Sequence, residues 1–249
     1  MAPLVELRGI RKRYGGVEAL AGADFTIYPR EIHALVGDNA AGKSSLIKAL
    51  SGAAPADAGD ILFEGRAVQI REPRQAKALG IETVYQDLAL ADNLDIPANI
   101  FLGRELTGSG LLKPFLDLRR MTEESAKLLG RLKIRIPDLH QKVRTLSGGQ
   151  RQCVGIARSV YFNARIIILD EPTAALGVEE TKKVLELVKE MRDQGLSVVM
   201  ISHNLAHVFD LCDRISVMKT GSVVGSTHIS ETSRDEILRL IVMGREALK

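Results

Sequence analysis

Short apolar or alternating runs punctuate the chain near residues 4–8, 23–28, 31–36, 60–64, 81–85, 165–169, 197–201, 214–218 and 222–225. Their length and their bounding Gly, Pro and Asp residues read as strands rather than helices. Between several of them the period lengthens. Over residues 178–192, Val184, Leu187, Val188 and Met191 fall on one stripe opposite Glu and Lys, the pattern of a helix with one buried face. Runs that are apolar at every position, such as IIIL and SVVMI, belong to strands buried on both sides. Strand–helix alternation around them predicts a parallel sheet with helices on both faces. Residues 4–8, 23–28 and 60–70 differ, being short, partly alternating and joined by Gly-containing turns, as in an antiparallel layer beside the parallel core.

From about residue 91 to 160 strand patterns give way to helical ones. Met121, Ser125, Leu128, Leu129 and Leu132 form a stripe, for which Thr122 is the expected cap. The segment Glu105–Phe115, with Gly108, Gly110 and Pro114, reads as an exposed connection.

Composition narrows the class. A chain of 249 residues can hold one substantial core. Its 34 Lys and Arg against 31 Asp and Glu leave a net charge of +3, too small and too scattered to mark a nucleic-acid surface, so no nucleic-acid partner is expected. Cys153 and Cys212 have no metal-ligand spacing and read as reduced thiols in a cytoplasmic setting. No apolar run is long enough to span a membrane, which makes any membrane role peripheral.

The strongest chemical pattern is GDNAAGKS, Gly37–Ser44, which follows the strand-like EIHALV and precedes the helix-like SLIKALSG. Backbone N–H groups at a helix N-terminus can wrap a phosphate chain only where the loop bends tightly, and glycines permit that bend. Lys43 would reach β- and γ-phosphates, and the Ser44 hydroxyl would bind Mg²⁺. Gly37, Asp38, Asn39, Ala40, Ala41, Gly42, Lys43, Ser44 and Ser45 are the expected nucleotide-binding segment. The strand RIIILDEP, Arg165–Pro172, ends in two carboxylates at the sheet edge where ligands bind. Asp170 would hold Mg²⁺, and Glu171 would polarise the water that attacks the γ-phosphate.

Between these two segments lies TLSGGQRQ, in which Ser147, Gly148, Gly149 and Gln150 open another helix and present bare amides to an anion. With LSGGQ, the sequence resembles ATP-binding-cassette (ABC) proteins from Tyr14 to His203, nearly the whole chain. The resemblance implies an α/β P-loop NTPase fold, RecA-like. It implies a single domain, 1–249, in which 1–90 and 161–249 form the nucleotide-binding core with an antiparallel β layer and 91–160 form the helical signature subdomain. It further implies a head-to-tail homodimer in which LSGGQ of one subunit completes the ATP site of the other. By the same resemblance Gln86 senses Mg²⁺ and the attacking water, His203 contacts the γ-phosphate, and Tyr14 stacks on adenine with Val17 beside it. The catalytic set is then Lys43, Gln86, Glu171 and His203, with Ser44, Gln86 and Asp170 as metal ligands.

Two positions depart from the family pattern: Ala40 stands where a Gly is usual, and Gly177 stands where many members carry Asp. If position 40 needs a left-handed backbone, Ala costs about 1–2 kcal/mol there and weakens nucleotide binding. The variants GDN, IETVYQDLAL around Gln86 and DEPTAALGVEET resemble those of bacterial monosaccharide importers of the ribose, xylose or fructose type. That implies a membrane permease, a periplasmic sugar-binding protein and a place on the inner face of the membrane. The competing readings are a soluble ABC ATPase of DNA repair or translation and a regulatory subunit with impaired hydrolysis. Neither a heptad tract nor a second GKS is present to favour the former.

Overall fold

The computed structural model describes residues 2–108 and 115–244. Most of the connection read at Glu105–Phe115, Gly110 and Pro114 included, lies outside those residues. The first strands, β1 (Val5–Tyr14) and β2 (Val17–Ile27), form a long hairpin that also pairs with β4 (Ala58–Phe63) and β5 (Arg66–Val68), giving the antiparallel order β2-β1-β4-β5. The second sheet is built from β3 (Ile32–Gly37), β6 (Ile81–Val84), β7 (Ile166–Asp170), β8 (Ser197–Ile201), β9 (Arg214–Lys219) and β10 (Ser222–His228). Its order is β10-β9-β3-β8-β7-β6, parallel throughout except for the β9–β10 edge hairpin.

The sequence of β7 shows how the layers are fixed. Ile167 and Leu169 point into one core, with Val154 and Ile156 of helix α5 (Gly148–Tyr161) and Val184 and Val188 of α6 (Val178–Asp193). Ile166 and Ile168 point into the other, with Leu46 and Leu50 of α1 (Lys43–Ser51) and with Leu7, Phe25 and Ile61 of the antiparallel sheet. An unbroken apolar run is the expected consequence of burial on both faces. Helices lie on both faces, as expected, and α1 shares its face with the expected antiparallel layer, because strands alternating toward one apolar side bury that side as effectively as a helix does.

The remaining helices are α2 (Pro73–Ala78), α3 (Ile96–Ile100), α4 (Leu118–Arg131), α7 (Leu205–Leu211) and α8 (Arg234–Met243). Met121, Ser125, Leu128 and Leu129 form the buried stripe of α4 as read, and Leu132 caps its end. Its N-cap is Asp117, not Thr122. The Asp117 carboxylate accepts from Arg120 N at 3.0 Å, whereas the Thr122 hydroxyl sits inside the helix and donates back to Leu118 O at 3.0 Å. Both cysteines are buried and free, and burial pushes the Cys153 thiol up to about 11 and the Cys212 thiol higher still. They are core residues with no thiolate character at neutral pH.

Candidate functional site

At the carboxyl end of β3 the chain enters the loop that leads into α1, and the loop's backbone is set by close approach. A Cβ on Gly37 (φ 150°) would overlap the Met218 carbonyl, and one on Gly42 (φ 104°) would stand 2.7 Å from the Ala19 carbonyl. Neither site has room for a side chain. Ala40 has φ 64°, so it does occupy the left-handed region that favours Gly. Ala41 N donates to Asp38 O at 3.1 Å, closing the turn around it. Helix α1 starts at Gly42 with no side-chain cap and no acidic residue in its first turn, so its leading N–H groups face outward with their partial positive charge.

Lys43 is half-buried, and its ammonium donates to Gly37 O at 2.8 Å and Asp38 O at 2.9 Å. Burial lowers its affinity for the proton, while the charges of Glu171, Asp170 and Asp38 oppose that effect. Across the cleft, Asp170 ends β7 and Glu171 follows it in a left-handed conformation, φ 50°, with its N–H bonded to Ile201 O of β8 at 3.0 Å. A non-glycine residue at positive φ is strained, and here the strain turns the second carboxylate out of the strand direction. Burial, then the neighbouring Glu171 charge, pushes the Asp170 carboxyl above its ordinary range; Lys43 and Lys48 pull it back. His203, two residues past β8, brings Nδ1 to 2.9 Å from Glu171 Oε1. Because an ionised carboxylate can only accept, Nδ1–H is the donor.

Lys43, Asp170, Glu171 and His203 thus converge on one edge of the parallel sheet. Ser44 is exposed beside Lys43 in the first turn of α1. The strand expected near residues 81–85 is β6, which stops at Val84, and Gln86 lies exposed two residues beyond it. Tyr14 and Val17 flank the Gly15–Gly16 turn of the β1–β2 hairpin and are 44% and 67% exposed, so neither belongs to the core. Lys12 Nζ lies 5.7 Å from the centre of the Tyr14 ring.

The LSGGQ segment forms a second centre. Ser147 is the N-cap of α5 and shares a capping box with Gln150: Gln150 N donates to Ser147 Oγ at 3.3 Å, and Ser147 N donates to Gln150 Oε1 at 3.0 Å. Gly148 and Gly149 supply the first turn. Among the described residues no hydrogen bond joins this tip to Gly37–Ser44. One neighbour of the tip was not singled out from the sequence: Glu180, in the first turn of α6, faces Gly148 and Gly149 across the gap between the two helices. Its spacing from the carboxylate strand carries no signal of that contact.

Comparison with known proteins agrees with this geometry. The sequence profile of the ABC transporter family matches residues 20–174. The chain is 48% identical over 241 residues to the xylose/arabinose import ATP-binding protein XylG of Sulfolobus acidocaldarius, an alignment covering 97% of this chain and 94% of that one. It is 49% identical over 223 residues to the fructose import ATP-binding protein FrcA of Rhizobium meliloti, covering 88% and 86%. A crystal structure of a nucleotide-free ATP-binding cassette from an ABC transporter superposes with a TM-score of 0.82, covering 99% of this chain and 98% of that one; at 24% identity it speaks for the fold alone. With a family match over more than half its length and relatives 48–49% identical over most of it, the chain belongs to the ABC transporter family.

Proposed function

We propose that this chain is the ATP-hydrolysing subunit of a monosaccharide importer, working as a head-to-tail homodimer beneath a membrane permease. The observation that carries the reading is the convergence of Lys43, Asp170, Glu171 and His203 at one sheet edge while the LSGGQ helix tip stands apart from it. One chain holds the cationic and basic half of a phosphoryl-transfer site, and only a second copy can bring a helix tip to its open side.

The N–H groups of Gly37–Ser44 would cradle the β- and γ-phosphates, Lys43 would add its cation, and Tyr14 would stack on adenine with Val17 at its edge. The residues fit a magnesium ion: two adjacent carboxylates, with Asp170 half-buried and raised first by burial and then by the charge of Glu171, are a donor set that favours a hard cation beside the Ser44 hydroxyl. Ser44, Asp170 and Gln86 would hold it, and when bound it supplies positive charge to the phosphate oxygens. Glu171 takes a proton from the attacking water, and His203 Nδ1 at 2.9 Å keeps that carboxylate in place. Ser147, Gly148, Gly149 and Gln150 of the second copy would close the site on the γ-phosphate. The exposed Gln86 adjoins a groove of about 280 Å³ lined by Val84, Tyr85, Leu88, Ile100, Leu102 and Arg104. That groove suits a short loop of a permease, and no helix among the described residues is long and apolar enough to cross a membrane itself. Monosaccharide import is supported by the xylose/arabinose and fructose relatives, whose identity extends over most of the chain. A purely regulatory role fits less well, since the complete base and cation set is assembled.

The test is to size Glu171→Gln with and without ATP. Removing the base should cut turnover by about 10²-fold or more while leaving nucleotide binding intact, so the variant should accumulate as an ATP-held dimer. A variant that stays monomeric at saturating ATP overturns the two-copy site.

A further inference from the structure

We propose that Arg158 is a positioning residue for the reaction: from the last turns of the LSGGQ helix it grips the backbone of the loop that carries Gln86 and fixes where that side chain stands. The inference rests on the reading of Gln86 given above and adds the residue that holds it.

Past Val84 the chain leaves β6 and runs irregularly until α3. Among the described residues no backbone-to-backbone hydrogen bond holds residues 86–90, so their polar groups must turn to side chains. Arg158 supplies the grip. Its Nη1 donates to Ala89 O at 3.1 Å and its Nη2 to Leu88 O at 2.9 Å, so one planar guanidinium closes on two successive carbonyls. Just downstream, the fully buried Asn99 of α3 accepts from Ala91 N at 2.7 Å and donates to Ala91 O at 3.0 Å. The loop is therefore pinned at its middle by α5 and at its end by α3. Ala89 has φ 47°, a left-handed conformation that persists where the surroundings over-determine it.

Helix α5 is shaped for this contact. A Cβ on Gly155 would stand 3.0 Å from Leu88 Cδ2 and 3.6 Å from Leu88 Cβ. Glycine weakens a helix interior, and here it leaves the place that Leu88 fills. Arg158, three residues on, lies on the same face of the helix, whose other end is the Ser147–Gln150 tip. Gln86 is two residues from the gripped carbonyls, too near to keep its place once the grip is lost. The groove of about 280 Å³ beside Gln86 is walled by Leu88, Ala89, Gly155 and Arg158 as well. The backbone that Arg158 holds is thus the backbone on which a seated permease loop would press.

The experiment starts from Arg158→Met, which keeps a long apolar stem and removes both donors. Chymotrypsin, which cuts after Tyr85, Leu88 and Leu90, should cleave the nucleotide-free loop about five-fold faster or more. Cutting elsewhere should not change, whereas a general loosening of the fold would speed it everywhere. ATP turnover should fall about ten-fold. ADP affinity, taken without magnesium, should stay within about two-fold, because Arg158 donates to residues 88 and 89 and not to Gly37–Ser44. In a Gln86→Ala background the same substitution should cost less than about two-fold in turnover, since the side chain it positions is gone. Arg158→Lys retains a donor and should move loop cleavage and turnover together by a smaller factor; it carries the test if the Met variant does not fold. Unchanged cleavage of the loop alongside lost turnover, or a full ten-fold loss in the Gln86→Ala background, overturns the inference. Wild-type turnover by Gln86→Ala alone would instead remove the role given to Gln86, leaving the grip to be judged by proteolysis.

Discussion

Ala40 carries backbone strain in the loop between β3 and α1. Its φ of 64° is left-handed, and the turn that holds it is closed by Ala41 N to Asp38 O and by Lys43 Nζ to Gly37 O and Asp38 O. The strain is therefore borne by the folded chain, through its own hydrogen bonds, and not by the act of binding phosphate. Ala40→Gly should raise the free energy of unfolding by about 1 kcal/mol or somewhat less, the left-handed penalty less the extra chain entropy of Gly. Nucleotide affinity should change by less than about three-fold, since the loop's shape is already set. Urea denaturation and ADP titration check the two halves separately; a large gain in affinity with no gain in stability would show that the strain belongs to binding after all. The sequence indicated the conformation at position 40 only conditionally, because a family usually carrying Gly there does not say which φ the loop takes. At Lys43, Asp170 and Glu171 the contiguous motifs indicated position more directly, and the structure brings these side chains together at one sheet edge. The sequence was worse at Thr122, where Asp117, five residues earlier, is the stronger cap and only the helix start distinguishes them.

At the level of elements, α5 is the instructive case, because the turn proposed to close the partner's site is also the one that caps the helix. Ser147 and Gln150 each satisfy the other's backbone donor, so the LSGGQ motif is also a capping box. Ser147→Ala should cost about 1 kcal/mol of stability, measured by chemical denaturation without nucleotide, before any effect on turnover is considered. An unchanged midpoint would mean that the Ser147 hydroxyl is idle in the isolated subunit. Of the elements, the apolar strands β3, β7 and β8 were legible because burial on both faces leaves no polar position to blur the pattern. Helices α2 and α3, six and five residues long, are too short to show a period and escape a reading based on one. Glu180 escaped for another reason: its contact joins the first turns of two helices separated by a strand, a tertiary fact with no local trace.

The whole molecule is half of a machine if the site is shared, and that division has a quantitative consequence. Lys43→Ala removes the cation of a subunit's own phosphate loop but leaves its LSGGQ tip intact. Ser147→Arg does the reverse, placing a bulky cation at the exposed tip while sparing the loop, the carboxylates and His203. Each variant alone pairs into dimers in which both sites lack one component, so each should turn over ATP about 10²-fold more slowly than wild type. Mixed in equal amounts, half the dimers combine one of each. In every such pair the intact loop of the Ser147→Arg copy meets the intact tip of the Lys43→Ala copy, and the other site lacks both. One site in four is then whole, and if sites act independently the mixture should recover about a quarter of the wild-type rate. A site completed within a single chain would give no recovery at any mixing ratio, and sites that fire only in concert would give none either. The last two separate by dilution: shared sites lose activity per subunit as wild-type protein is diluted below the dimer's dissociation constant, whereas a self-sufficient chain keeps a constant rate.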